Sequence, residues 1–230
     1  MSVAVRLIAF VVCMGFFFPN ALFSHSRTSI GVASLASRSA IAKNSLQKEG
    51  PLIVLDAGHG GSDEGARVRQ LQEKSITLLT ALYAKKQLEQ MGYRVLLTRS
   101  KDIYVSLPKR VSLANKTEST IFVSIHFNSA KNALAEGIEI FFFQEKSSRT
   151  SASKQLAQFV LQGVVGQTDS FSRGVKSGNF YVIRETQMPS IIVEAGFMTN
   201  NSEWSCLRKK SYLERISKGI ALGVDKYLRS

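Results

Sequence analysis

Two histidines, His59 and His126, each close an apolar run, the first after Leu52-Ile53-Val54-Leu55-Asp56-Ala57-Gly58 and the second after Ile121-Phe122-Val123-Ser124-Ile125. Imidazole is the commonest metal-binding side chain near neutral pH, and a pair of imidazoles with one carboxylate is the donor set of a catalytic zinc, whose fourth position stays open to water. A third ligand must come from an acidic residue that reaches the same place. Glu73 is well placed at the start of a helix that follows a glycine-bearing loop, while Asp63 and Glu64 on that loop compete for the role. Glu73 lies 14 residues after His59 and 53 before His126, so the arrangement differs from the helical H-E-x-x-H motif, and spacing alone leaves the choice open. A fourth group stands out by its surroundings. Glu194 follows Ile191-Ile192-Val193 and precedes Ala195-Gly196-Phe197, where an isolated carboxylate is costly to desolvate. It needs either an arginine partner or a task, such as moving protons beside a metal site.

The elements that position these groups follow from hydrophobic periodicity. Short apolar strands are expected at Leu52–Leu55, Tyr93–Thr98, Thr120–His126, Ile138–Phe143, Phe180–Ile183 and Ser190–Glu194. Between them, helices are expected over 73–91 with Ile76, Leu79, Leu82 and Tyr83 inward, and over 106–117 with Leu107, Val111 and Ala114 inward. A further helix covers about 151–165, and a last one carries Leu213, Ile216, Ile220, Val224 and Tyr227 on one face. Ser211 and Glu214 have the spacing of a capping box for that last helix. Strands alternating with helices predict a single α/β domain: a mostly parallel or mixed twisted sheet of about six strands, helices on both faces. Ligands of such sheets gather beyond the carboxyl ends of the strands, which is where His59, His126 and Glu194 fall.

Ahead of this domain, residues 1–26 have the form of a signal peptide: Arg6, an apolar run of 12 residues from Leu7 to Phe18, then Pro19 and a stretch of small residues. That run is shorter than the roughly 20 residues that span a bilayer. Residues 27–50 have the Ser/Ala/Lys/Arg composition of a linker or tether, and 51–230 form the folded domain. Export would remove Cys13 and His25, leaving Cys206 without a disulfide partner. Flanked by Trp204 and Leu207, with neither histidine near in sequence, Cys206 reads as an idle thiol. A net charge of +13 favours anionic polymers or surfaces, yet no concentration of Lys/Arg with interleaved aromatics marks a nucleic-acid binder. Gly58-His59-Gly60 begins like a dinucleotide fingerprint, but Asp63 stands where its third glycine belongs. Two Ser-x-x-Lys patterns, Ser106–Lys109 and Ser151–Lys154, with Lys176-Ser177-Gly178, echo penicillin-binding enzymes and arise easily in a chain rich in serine and lysine.

The stretch from Ile53 to Ala66 resembles the opening motif of the zinc-dependent N-acetylmuramoyl-L-alanine amidases of the AmiA/AmiB/AmiC type. The likeness continues through Glu73-Lys74, Leu97-Thr98-Arg99, Asp102, Arg110 to Asn115, Phe122 to Asn128, Gly137, Glu139 and Met188 to Phe197, covering nearly all of 51–229. It implies one zinc held by His59, Glu73 and His126, with Glu194 as the catalytic carboxylate and Asn128 as a candidate substrate contact. It also implies the reaction, hydrolysis of the amide between N-acetylmuramic acid and L-alanine of the peptidoglycan stem peptide, during wall remodelling or cell separation. A zinc peptidase cutting within the stem and a non-catalytic wall-binding protein are the alternatives. A periplasmic or otherwise exported, monomeric enzyme is expected, touching the membrane only through the signal peptide if that stays uncleaved. The interval between the strand at Ile138–Phe143 and Glu194 is short beside that of autoinhibited relatives, so no self-blocking helix is expected.

Overall fold

The computed structural model describes residues 50–230; the expected signal peptide and nearly all of the tether lie outside the described residues. Strand β1 (Leu52–Ala57) leads through a hairpin, β2 (Arg67–Val68) and β3 (Leu71–Gln72), into α1 (Glu73–Gln90). There follow β4 (Arg94–Leu97), α2 (Leu107–Lys116), β5 (Ile121–Asn128), β6 (Ile138–Phe142), α3 (Ser148–Thr168), β7 (Ser172–Ser177) and α4 (Tyr181–Arg184). The chain ends with β8 (Ser190–Phe197), α5 (Asn201–Leu207) and α6 (Lys210–Leu228). Six strands form one sheet in the order β4-β1-β5-β8-β6-β7. The first four run parallel; β6 is antiparallel to β8 and carries β7 parallel to itself, so the sheet is mixed. Reversal at β6 has a functional consequence: the beginning of β6 meets the carboxyl end of β8, pairing Glu139 with Glu194.

All six residues of β1 are buried, as its unbroken apolar run requires of a strand covered on both faces. One face packs on α1, α3 and α6 through Ile53, Leu55, Ile76, Val123, Leu156, Val160, Ile216 and Ile220. The other, smaller core joins Val54, Phe122 and Ile192 to Val111 and Ala114 of α2 and Val182 and Ile183 of α4. No described helix is long and apolar enough to cross a membrane.

Four local expectations are corrected. Phe180–Ile183 is not a strand: Tyr181–Arg184 is a single helical turn, α4, and the sixth strand is β7, whose polar Ser-Arg-Gly-Val-Lys-Ser suits a sheet edge. On α1 the buried side is Ile76, Thr77, Thr80, Ala81, Ala84 and Leu88, so Leu82 stands exposed. Small residues face inward there because α6 crosses close by, and Ser217 donates to the Thr80 carbonyl at 2.9 Å. Leu107 is likewise exposed, at the mouth of the groove described below. Finally, α6 starts one residue before Ser211 with Lys209 as its N-cap, so the capping box does not form; the side-chain cap is Asn200 on α5, accepting from Ser202 and Glu203.

Helices α3 and α6 touch backbone to backbone. A Cβ on Gly223 would lie 2.4 Å from Val160 Cα and 2.6 Å from the Phe159 carbonyl, atoms that cannot turn aside. Gly223→Ala therefore gains about 1 kcal/mol of helix propensity and loses roughly 2–3 kcal/mol or more to overpacking. A fall in melting temperature of several degrees is expected by calorimetry; a rise would show that the helices can part at little cost.

Candidate metal centre

The segment after β1 is held by two buried arginines. Arg110 forms a 2.6 Å ion pair with Asp56 and donates to the Ala57 and His59 carbonyls at 2.6 and 2.7 Å, while Arg99 donates to the carbonyls of Ala57, Gly58 and Lys74. Burial alone would raise the Asp56 pKa; the Arg110 charge and bonds from Thr98 and Ser124 lower it, so the carboxylate stays ionised. This clamp holds His59 at φ 59°, a left-handed conformation that costs a non-glycine residue about 1–2 kcal/mol and persists only where its surroundings impose it.

His59 is thereby turned toward Glu73 and His126. Its Nε2 lies 3.1 Å from Glu73 Oε1, and His126 Nδ1 lies 2.9 Å from the same oxygen. The two rings meet edge to face, 4.9 Å between centroids at 79°, and one donor atom from each of the three residues lies within 4.8 Å of the other two. Ligands about 2.0–2.2 Å from a tetrahedral ion stand about 3.3–3.6 Å apart, so this donor set fits a metal with small adjustments. Its surroundings are cut to the same shape. A Cβ on Gly58 would lie 2.3 Å from His126 Cε1, and one on Gly65, at φ +64°, 2.6 Å from both Glu73 Oε2 and His59 Cδ2. Burial opposes charge on both imidazoles, but their bonds to Glu73 outweigh it and raise both pKa values. Burial also works against ionised Glu73, yet bonds from the two histidines hold it far below the usual carboxylate range.

Of the three acidic rivals, Glu73 is the one whose carboxylate joins the two imidazoles in a group that could hold a metal. Glu73 opens α1; its Oε2 accepts from Ala66 N at 2.8 Å and its Oε1 from Phe127 N at 3.2 Å. Asp63 instead sits 2.9 Å from His59 Nδ1, on the far side of the ring. Glu64 pairs with Arg67 and Gln72 at the surface. A carboxylate behind a ligand histidine fixes its tautomer and orientation. Asp63→Asn is expected to weaken metal binding about 10–100-fold in a chelator competition titration; unchanged affinity would leave Asp63 a surface hydrogen bond and nothing more.

Glu194 stands opposite His126 in the β5–β8 register. Among the described residues no arginine reaches it, and Oε2 is buried without a hydrogen-bond partner. Burial, reinforced by the Glu73 and Glu139 charges and opposed by His126, pushes its pKa up to about 7. A cavity of 330 Å³ joins Glu194 to the three donors.

Residues 53–226 match the family model described as N-acetylmuramoyl-L-alanine amidase. The chain belongs to this family. The N-acetylmuramoyl-L-alanine amidase CwlM of Bacillus licheniformis is 36% identical over 174 residues, 75% of this chain and 66% of its own length, so the chain spans about two thirds of that relative. Among solved structures, AmiC2 of Nostoc punctiforme matches with a TM-score of 0.74 at 36% identity, over 78% of this chain and 98% of that one. The catalytic domain of CwlV from Bacillus (Paenibacillus) polymyxa gives 0.73, also at 36% identity and the same coverage.

Two parts of the amidase site were not assigned from sequence. Asn128, the candidate substrate contact, lines the cavity, but its Nδ2 donates at 2.8 Å to Glu139. Glu139 also accepts from Arg173 at 2.8 Å and Lys176 at 2.6 Å; burial would raise its pKa, but these two cations outweigh it and leave the pKa lowered. Its signal was the one that marked Glu194, a carboxylate inside an apolar strand. Asp63, against Nδ1 of His59, is the other. Lys176 is thus engaged at Glu139, Ser151 and Lys154 lie exposed on α3, and Cys206 lines a separate cavity with Glu203 and Tyr212.

Proposed function

We propose that the chain is an exported zinc amidase in which His59, Glu73 and His126 hold the ion and Glu194 is the catalytic carboxylate. Its substrate is the amide joining the lactyl group of N-acetylmuramic acid to L-alanine of the stem peptide. The observation that carries this reading is the convergence of three metal donors within 4.8 Å beside a buried carboxylate oxygen that has no partner. A zinc ion held there would supply a nucleophilic water at neutral pH and polarise the scissile carbonyl.

The chain's own residues do the rest. Glu194, with a pKa near 7, takes the proton that leaves water as its oxygen bonds to the carbonyl carbon, and delivers it to the nitrogen as the C–N bond breaks. Asp63 holds the His59 ring in one tautomer, and the Asp56–Arg110 pair holds the His59 backbone. Residues 1–26 direct export, and the excess of basic residues favours an anionic wall. Between β6 and β8 the chain forms α3, β7 and α4; α3 packs on α6 in the main core, which supports a site that needs no displacement of a blocking helix.

Mass spectrometry of digested muropeptides tests the reading. Intact stem peptides with a free L-alanine amine, together with unsubstituted muramic acid, are expected. Fragments cut within the stem would make the enzyme a peptidase instead, and no product from zinc-loaded protein would make it a wall-binding protein.

A further inference from the structure

The groove that contains the three metal donors extends past them in two directions. One arm is the 330 Å³ cavity over the ends of β5 and β8, where Asn128 and Glu194 form its wall. The other, of 340 Å³, lies over the end of β1 and the loop after β4, walled by Asp63 and Tyr104. Both include His59, Leu107, His126 and Val182, so a ligand centred on the donors has room on either side. Strand order sets the direction of travel: from Tyr104 the groove passes β1 with His59, β5 with His126 and β8 with Glu194, and at its far wall Asn128 donates to Glu139 of β6, which in turn accepts from Arg173 and Lys176 of β7.

The arms differ in chemistry. Beyond Asn128, two cations share one carboxylate, Glu139, and the Arg173 and Lys176 side chains are 31% and 41% exposed. At the opposite end the exposed groups are Tyr104, 58% accessible, and the Asp63 carboxylate, 47%, an anion that disfavours a second carboxylate there. Arg110 on that side is consumed by Asp56. Glu194 adds an asymmetry of its own, since it lines only the first arm. The amine that departs must receive a proton from Glu194, so the amine side of the scissile bond belongs on the Glu194 side.

A substrate cut at the lactyl amide is two-ended in the same sense: an uncharged saccharide carries the acyl group, and a peptide bearing carboxylates carries the amine. Resting on the amidase reading above, we propose that the Tyr104 arm is the saccharide subsite and that the arm leading to Arg173 and Lys176 receives the stem peptide, with Lys176 meeting a stem carboxylate. An exposed aromatic side chain covers the C–H face of a pyranose ring, and partly exposed cations take a carboxylate.

Two substrate comparisons test this assignment. One pairs disaccharide stem peptides with free and amidated stem carboxylates; the other places a single stem on short and long glycans. Tyr104→Ala is expected to raise KM on long glycans about three- to tenfold and to erase the preference for them, without changing the ratio between free and amidated stems. Tyr104→Phe, which keeps the ring, retains the glycan preference. Lys176→Gln is expected to erase the preference for free carboxylates and leave the glycan preference, and Lys176→Arg to restore it. Exchanged effects, or ratios that stay unmoved in both variants, overturn the assignment. Product masses from the unmodified enzyme report separately on the amidase reading: cleavage away from the lactyl amide would end that reading whatever the ratios.

Discussion

Glu194→Gln is expected to cut kcat/KM on muropeptides by about 10²–10⁴-fold, with KM and metal affinity nearly unchanged. The substitution keeps shape and removes only the ability to accept a proton at an oxygen that nothing else in the structure engages. A structural role would give a different signature, and stability separates the two. Glu194 titrates near 7 in the folded chain against 4.5 as an ordinary glutamate, because burial and the charges of Glu73 and Glu139 penalise its ionised form. The folded state thus holds this proton more tightly than the unfolded one. Its contribution to stability is full below about pH 4.5, declines as pH rises through the interval, and is gone above about 7. Glutamine carries no such penalty. Metal-free Glu194→Gln is expected to match the parent near pH 4 and to exceed it at pH 8 by about 1–3 kcal/mol, read by chemical denaturation at both pH values. A variant that lost stability at pH 8 while losing activity would show Glu194 to be a packing residue.

How much of this was visible before folding depends on how local each signal is. His59, His126 and Glu194 end or interrupt apolar strands, and the rule that sites lie at the carboxyl ends of parallel strands brought them to one rim. The choice of Glu73 over Asp63 was not local. Both carboxylates reach His59, one at each ring nitrogen, and only the left-handed turn at His59 and the hairpin before α1 decide which faces His126. Phe180–Ile183 misled because its apolar side chains do serve a core, through Val182 and Ile183 on a helical turn, while the true edge strand β7 is polar. Periodicity on α1 placed Ile76, Leu79 and Tyr83 against the core but missed at Leu82 for a similar reason: the close passage of α6 selects Thr77, Thr80 and Ala81 for the buried side and leaves Leu82 outside. Asp56 marks the end of the apolar run of β1 in the sequence, but its partner Arg110 comes from 54 residues further on, a distance at which sequence carries no pairing signal.

Removing the metal is expected to abolish hydrolysis, and returning zinc to restore it, with the pH of binding reporting on the donors themselves. In the metal-free protein Glu73 stays ionised against two imidazoles whose pKa values it raises. Those rings therefore hold their protons to higher pH than a free imidazole, and a metal must displace them, since only neutral imidazole has a lone pair to give. Calorimetric titration with zinc in two buffers of different ionisation enthalpy should show proton release near pH 6.5, shrinking as pH rises past the histidine pKa values, and affinity should climb over the same range. Glu73→Gln acts on both sides of this balance. It deletes a charged ligand, and it withdraws the charge that kept the imidazoles protonated. Zinc affinity is expected to fall by well over the 10–100-fold typical of a residue that only orients a ligand, with activity lost at any accessible zinc concentration and proton release diminished. Retention of tight binding with proton release intact would place the third donor elsewhere, and Asp63, already against the other nitrogen of His59, would be the residue to examine.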